Sequence, residues 1–222
     1  IVRPPPVGEK IALAGKVWIV EEIDYKRRLI YCKPVRGKVP AYFGQCPGDI
    51  HTRILEEMLQ VLREDDTPPY LMKNAAARLA EARHTARRSG ITESVLLPLG
   101  GESWCLFPWL GTYAFLALER FLKLRCAARL GLSALESSRP YFLQFKMKAS
   151  GEEFFRVLGE AEQEPLNPLE LVYPGEIPLF EKYDEFLPPE LVRKGFACGI
   201  LGIDEMKQRI RSWTRSGTGT PS

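Results

Sequence analysis

The chain has 222 residues, enough for one large domain or two small ones, and its 45% hydrophobic and 27% charged residues are typical of a globular protein. Its net charge of +3 is too small to identify a nucleic-acid-binding protein by itself. No run of about 18 apolar residues occurs, so we expect no membrane partner.

The five cysteines are odd in number, and no two of them lie two or three residues apart: Cys32, Cys46, Cys105, Cys126 and Cys198. A zinc site or a disulfide framework needs paired spacing. We therefore expect reduced, mostly buried thiols in a cytoplasmic protein.

The N-terminal part of the chain predicts a linker followed by a small β unit. Residues 1–9 are proline-rich and begin with Ile1, so we expect a linker and a fragment excised from a longer protein. Apolar runs at 17–23 and 29–32 flank the polar stretch from Asp24 to Arg28, which predicts a hairpin in a twisted or barrel-like β unit over 10–48.

Residues 49–213 predict a larger α/β part, so the whole chain is assigned to the α+β class. Helical periodicity predicts one helix over 49–64 and another from Tyr70 to Arg88, which ends at Gly90. The apolar face expected for the first helix consists of Ile50, Ile54, Met58, Leu59 and Leu62.

The rest of this part alternates strands and helices. We expect a β pair around Gly100 and Gly101, a strand over 141–147, a helix over 151–160 and an interrupted helical stretch over 183–213. Between the strands, an uncharged segment from Tyr113 predicts a buried core helix with Thr112 as its N-cap. Residues 214–222 predict a disordered tail.

Catalytic motifs are missing. The sequence has no GxxxxGK[ST], HExxH, CxxC or GxSxG pattern, and it has two histidines, His51 and His84. Carboxylates at Glu21, Glu22, Asp24, Asp65 and Asp66 would permit a metal-dependent nuclease, but solvation explains such turn and helix-end charges better. We therefore expect no catalytic residue, metal or cofactor in this chain.

The first β unit carries the strongest functional signal. Eight cations and three carboxylates lie between Lys10 and Lys38, a local net charge of +5, with Trp18, Tyr25, Tyr31, Tyr42 and Phe43 among or just beyond them. Cations neutralise phosphates and rings stack on bases, so this composition favours single-strand binding. The alternative is a solvated turn with its rings in the core.

A second basic face is expected on the second helix. Arg83 and Arg87 are four residues apart near its C-terminal end, where they could contact phosphates. The helix dipole alone also favours cations at such a position.

Three segments together resemble the C-terminal region of Lhr-like superfamily-2 DNA helicases. The run from Leu13 to Asp24 is similar to that family's LAGR-W-x-V-x-x-I-D stretch, and the strand from Arg28 to Pro34 with its continuation through Phe43-Gly44 follows in the same order. The run from Leu106 to Thr112 resembles its FPW-x-GT motif. Phe43 stands where many relatives have Trp. The resemblance covers roughly residues 9–205.

The resemblance implies an accessory domain with a fold similar to type III secretion chaperones, which lies beyond two motor domains and a winged helix and lines the path of the tracking strand. ATP and Mg would be used by the parent motor, and the expected ligand is single-stranded nucleic acid, DNA more than RNA. Trp18 and Trp109 are expected in the core. Including Arg83 and Arg87, the predicted contacts are Lys26, Arg27, Arg28, Lys33, Arg36, Lys38, Tyr42 and Phe43. The alternative function is a protein-docking module that uses an apolar patch.

Overall fold

The computed structural model describes residues 5–13, 16–37 and 48–215, and the chain divides into two compact units, Ile1–Gly48 and Asp49–Ser222. The first unit contains an antiparallel sheet with the strand order β1-β2-β3. Its strands are β1 (Lys10–Leu13), β2 (Lys16–Asp24) and β3 (Leu29–Pro34). The predicted hairpin is confirmed as β2 and β3, whereas β1 was not predicted as a separate strand.

The end of the expected linker belongs to this sheet. The N–H of Gly8 donates to the carbonyl of Val20 at 2.7 Å, and the N–H of Val20 donates to the carbonyl of Glu9 at 2.9 Å. The linker prediction is therefore wrong for these two residues, because their main-chain groups extend the pairing along β2.

The second unit combines helices with a four-stranded antiparallel sheet of order β4-β5-β7-β6, which confirms the α+β class. Its strands are β4 (Leu96–Gly100), β5 (Ser103–Leu106), β6 (Ser133–Ser138) and β7 (Phe142–Lys146). Its α-helices are α1 (Thr52–Arg63), α2 (Lys73–Ser89), α3 (Thr112–Phe121), α4 (Ala127–Leu130), α5 (Gly151–Gln163), α6 (Pro189–Gly195) and α7 (Ile203–Arg215). A π-helical turn, Leu122–Cys126, joins α3 to α4, and another, Phe196–Ile200, follows α6.

The predicted core helix is confirmed as α3. Every residue from Ala114 to Leu122 is buried, as expected for a helix that is apolar on all faces. The charged pair within it, Glu119 and Arg120, is buried as well and forms ion pairs with Arg139 and Glu176, respectively.

The expected apolar face of α1 is partly wrong. Leu55 and Leu59 are 1% exposed and pack into the core, whereas Ile54 and Met58 are 54% and 42% exposed. The helix carries two apolar stripes, and the stripe that begins at the buried Thr52 is the one that faces inward.

The ends of the helices follow local hydrogen bonding. His51 is the N-cap of α1, and its Nδ1 accepts from the N–H of Arg53 at 3.2 Å. Gly90 ends α2 with a φ of 77°, as predicted. Thr112 is not the N-cap of α3, which is Gly111; instead the Thr112 hydroxyl accepts from the N–H of Ile50 at 3.0 Å.

Candidate nucleic-acid interface

The sheet of the first unit has one apolar face and one polar face. Val20, which is 1% exposed, pairs with Cys32, and Ile23 pairs with Ile30. A register shift between Val20 and Glu22 lets these two pairs lie on the same side of the sheet despite their odd spacing along β2. The bulge therefore keeps the apolar side chains on one face over the whole length of the hairpin.

The opposite face carries cations and a ring. Lys10, Ile19 and Lys33 pair across the three strands in one row. Since neighbouring strands lie about 4.8 Å apart, the two lysine stems are separated by about 10 Å. Tyr31, two residues from Lys33 along β3, lies on this face opposite Glu22 and is 45% exposed.

The turn between β2 and β3 holds its charges outward. The carboxylate of Asp24 accepts from the N–H of Arg27 at 2.9 Å and thereby fixes the turn. Arg28 has a φ of 55°, in the left-handed region that reverses the chain. Lys26, Arg27 and Arg28 are all exposed, and Tyr25 is 75% exposed.

The cations of this turn are weakly paired. The one ion pair found among them in the described ranges joins Arg27 Nε to Asp24 Oδ2 at 3.9 Å, and the Arg27 side chain is 75% exposed. Solvent screens an exposed pair at this distance strongly. The turn can therefore exchange its internal contact for a phosphate at small cost.

No family model, curated protein or solved structure matches the chain. The function of this surface is therefore inferred from its own side chains.

The structure describes five of the contacts predicted in the first unit, three in the turn and two at the other end of β3. Lys26, Arg27, Arg28, Lys33 and Arg36 all lie in the hairpin or directly after it and are exposed. The remaining contacts predicted in the first unit, Lys38, Tyr42 and Phe43, lie outside the described residues.

The expected basic face of α2 is not formed by Arg83. This residue is 6% exposed, and its Nε donates to the carbonyl of Val61 at 2.8 Å. Arg87 donates to the carbonyl of Arg63 at 3.3 Å and to Asp65 Oδ1 at 2.6 Å. Because the last carbonyls of a helix have no partner within it, both arginines bind the C-terminal end of α1. The buried Arg83 therefore has a structural role, whereas Arg87 is exposed and its role as a phosphate contact stays a prediction.

Both tryptophans of the similar segments make structural contacts. Trp18 is half-buried and donates from its indole N–H to the carbonyl of Leu13 at 3.1 Å, so it fastens β1 to β2. Trp109 is 6% exposed, and its carbonyl accepts from Arg209 at 3.3 Å. Trp109 therefore agrees with the expectation of a core residue, whereas Trp18 is only half-buried.

Lys10, Tyr25 and Tyr31 were counted in the sequence but were not assigned as contacts. Lys10 belongs to β1, which was missed, so its position in the row with Lys33 could not be derived. Alternation along β3 places Tyr31 on the face of Lys33, but its cross-strand neighbour Glu22 depends on the bulge at Glu21, which alternation does not reveal.

Within the ranges that the structure describes, no group of three or more His, Cys, Asp or Glu side chains could hold a metal ion. In the same ranges, no helix is both long enough and apolar enough to cross a membrane.

Proposed function

We propose that the first unit binds single-stranded nucleic acid with the polar face of its sheet and the β2–β3 turn. The observation that carries the proposal is the row of Lys10 and Lys33 with Tyr31 beside it on one open face. The exposed cations of the turn lie at the end of the same hairpin.

The chemistry of this surface fits a strand better than a duplex. Spaced lysines neutralise successive phosphates, and an exposed ring on a sheet stacks on a base with about 1–3 kcal/mol. Base–ring stacking of this kind requires a base that is not already stacked in a helix. Glu22 and Asp24 lie on the same face between the lysine row and the turn and repel phosphates, so we place phosphates at the lysine row and at the turn, with the stacked base at Tyr31 between them.

We further propose that the chain is the C-terminal accessory part of an Lhr-like DNA helicase of the cytoplasm. The order of the three similar segments supports this assignment. In that setting the motor and winged-helix domains of the same parent would use ATP and Mg, while this chain would contact the tracking strand. The coding sequence upstream of Ile1 tests the assignment: two RecA-type motor domains support it, and their absence contradicts it.

Fluorescence anisotropy tests the binding surface directly. The ligand is a labelled single strand of roughly 12 nucleotides, within the span of a small β domain, as DNA and as RNA. The turn variant combines Lys26→Ala, Arg27→Ala and Arg28→Gly, where glycine keeps the left-handed backbone. We expect weaker binding and a slope of log Kd against log salt smaller by roughly 2, because each phosphate contact on a single strand contributes about 0.7.

A second variant tests the sheet face. Combining Lys10→Ala, Lys33→Ala and Tyr31→Ser removes two phosphate contacts and one stacking ring, and we expect at least about tenfold weaker binding. The matched control removes three exposed cations of the second unit, Arg53, Arg78 and Lys146, and should change Kd less than about twofold. If both first-unit variants bind like the control, the proposed surface is wrong.

A further inference from the structure

The segment 176–191, here named the docking loop, exposes an unusual number of large apolar side chains. Phe186 is 71% exposed and Tyr183 is 63% exposed. Four further residues of the loop are about half exposed: Ile177, Leu179, Leu187 and Leu191. Apolar residues concentrated in this way on a surface mark interaction sites more often than isolated ones do.

Polar contacts at its start hold the docking loop to the second unit. Arg120, buried in α3, donates to both carboxylate oxygens of Glu176 at 2.7 Å. Its guanidinium also lies 4.5 Å from the ring centre of Tyr173 and 4.8 Å from that of Phe196. Arg193 adds a bond to the carbonyl of Glu176 at 2.5 Å.

The middle of the docking loop is held as well. The Phe180 ring lies 6.1 Å from Tyr113 and 5.7 Å from Phe196, centre to centre. Asp184 accepts from the N–H groups of Phe180 and Glu181 at 2.7 Å each. The inward side of the loop thus packs against the second unit, and hydrogen bonds fix its backbone. The exposed rings lie on its outer side.

The docking loop is acidic in a chain that is basic overall. It contains five carboxylates and one lysine, a formal net charge of −4, compared with +3 for the whole chain. Glu181, Glu185 and Glu190 are exposed and form no ion pair with any described residue. Such a surface repels phosphates and attracts cations.

A second apolar stripe lies on α1, where Ile54, Met58 and Val61 line an open cavity of about 620 Å³. The charges beside it, Arg53 and Glu57, cancel, so the stripe gives no indication of a partner. The docking loop differs from it because its five carboxylates outnumber its one lysine.

We propose that the docking loop binds a protein element that carries an apolar stripe flanked by lysine and arginine. Phe186, Leu187 and Leu191 would bury the stripe, and the three exposed glutamates would meet the flanking cations. Six side chains make a small contact area, which corresponds to a transient interface rather than a permanent one. The proposal is independent of nucleic-acid binding by the first unit, since it uses different residues and the opposite charge.

A designed amphipathic helical peptide with a leucine stripe flanked by lysine and arginine serves as the probe. Titrated into the ¹⁵N-labelled full chain, it should shift amide resonances of 177–191 and bind saturably. A peptide of the same composition in scrambled order, and one with glutamate in place of the cations, should bind at least about tenfold more weakly.

Substitutions on the loop separate the two parts of the interaction. The double variant Phe186→Ser with Leu187→Ser should bind the peptide at least about tenfold more weakly. The matched pair Ile54→Ser with Met58→Ser on α1 should leave the affinity for the peptide unchanged. Replacing Glu181, Glu185 and Glu190 by Gln should weaken binding and reduce its salt dependence. All these side chains are exposed, so the variants should fold.

Several outcomes would overturn the proposal. They are an absence of saturable binding, equal binding of the scrambled peptide, shifts that map to α1, and unchanged affinity in the Phe186–Leu187 variant. Concentration-dependent self-association in sedimentation that this variant abolishes would instead assign the loop to a second copy of the chain. Protection of the loop by an oligonucleotide would contradict the acidic-surface argument.

Discussion

The main-chain N–H of Gly111 donates to the hydroxyl of Thr52 at 2.7 Å, which joins the start of α3 to the start of α1. Two further hydrogen bonds join the same segments. The N–H of Thr112 donates to the carbonyl of Ile50 at 3.0 Å, and the N–H of Ile50 donates to the hydroxyl of Thr112. A Cβ at Gly111 would lie 2.4 Å from the carbonyl oxygen of Ile50. The glycine of the FPWLGT segment is thus required by close backbone packing.

Gly111→Ala should destabilise the second unit by about 3 kcal/mol, because backbone atoms on both sides leave no space for a methyl group. The control is Gly195→Ala in α6, where a Cβ meets nothing within 4 Å. That change should stabilise the second unit by about 0.5–1 kcal/mol, since alanine has a higher helix propensity than glycine. Urea unfolding followed by circular dichroism measures both, and equal effects would contradict the packing argument.

The sequence predicts elements where local chemistry is sufficient. The hairpin could be predicted because a polar turn separates two β-rich runs, and α2 because Gly90 provides its C-cap. The short strands β1 and β6 were missed because four to six residues with mixed exposure show no clear alternation.

The orientation of side chains was harder to predict than the elements. Both stripes of α1 have helical periodicity, and only tertiary packing decides that Leu55 faces inward and Ile54 outward. Arg83 looked like a surface cation because its sequence neighbours are polar. Its burial depends on the free carbonyls at the end of α1, which the sequence does not place beside it.

Glu176→Gln should cost about 3 kcal/mol of stability. Arg120 has a 7% exposed side chain, and removing its carboxylate leaves a buried guanidinium without a counter-charge. As a matched control, Glu153→Gln breaks the exposed pair with Arg156, whose side chain is 56% exposed, and should not measurably change the urea midpoint. Similar losses in both variants would show that the Arg120 site is not the stronger contact.

Acid should weaken the second unit. The hydrogen bond from Arg120 holds the pKa of Glu176 below its ordinary value of 4.5. Burial raises the pKa of Glu119, but bonds from Arg139 and Lys123 outweigh it, so this pKa also lies below 4.5.

A carboxylate whose pKa is lower in the folded state than in the unfolded state stabilises the fold fully when the pH is above the unfolded-state pKa. This stabilisation is lost as the pH falls through the folded-state pKa. Urea midpoints should therefore decline below pH 4.5. The Glu176→Gln variant should lose less stability than the wild type over that range, because it has one ionisation fewer. An equal loss would show that Glu176 does not contribute.

The cysteines should differ sharply in reactivity. Cys198 is exposed, whereas burial raises the pKa of Cys105 to about 11 and that of Cys126 to about 12. Because the thiolate is the nucleophile, iodoacetamide near neutral pH should modify Cys198 and spare the two buried thiols. Mass spectrometry of tryptic peptides reads out each site, and the same reaction in denaturing urea is the control, where all of them should react.

Arg28→Gly should stabilise the hairpin by about 0.5–1 kcal/mol, because the φ of 55° at this residue is strained for any side chain with a Cβ and free for glycine. Lys26→Gly in the same turn, which removes the same charge without relieving a positive φ, should instead destabilise it by a similar amount. Asp24→Ala should cost about 1 kcal/mol, since the N–H of Arg27 loses its acceptor. Hydrogen exchange of the amides in β2 and β3 measures all three, and a stabilising Lys26→Gly would show that charge repulsion, not backbone strain, limits the turn.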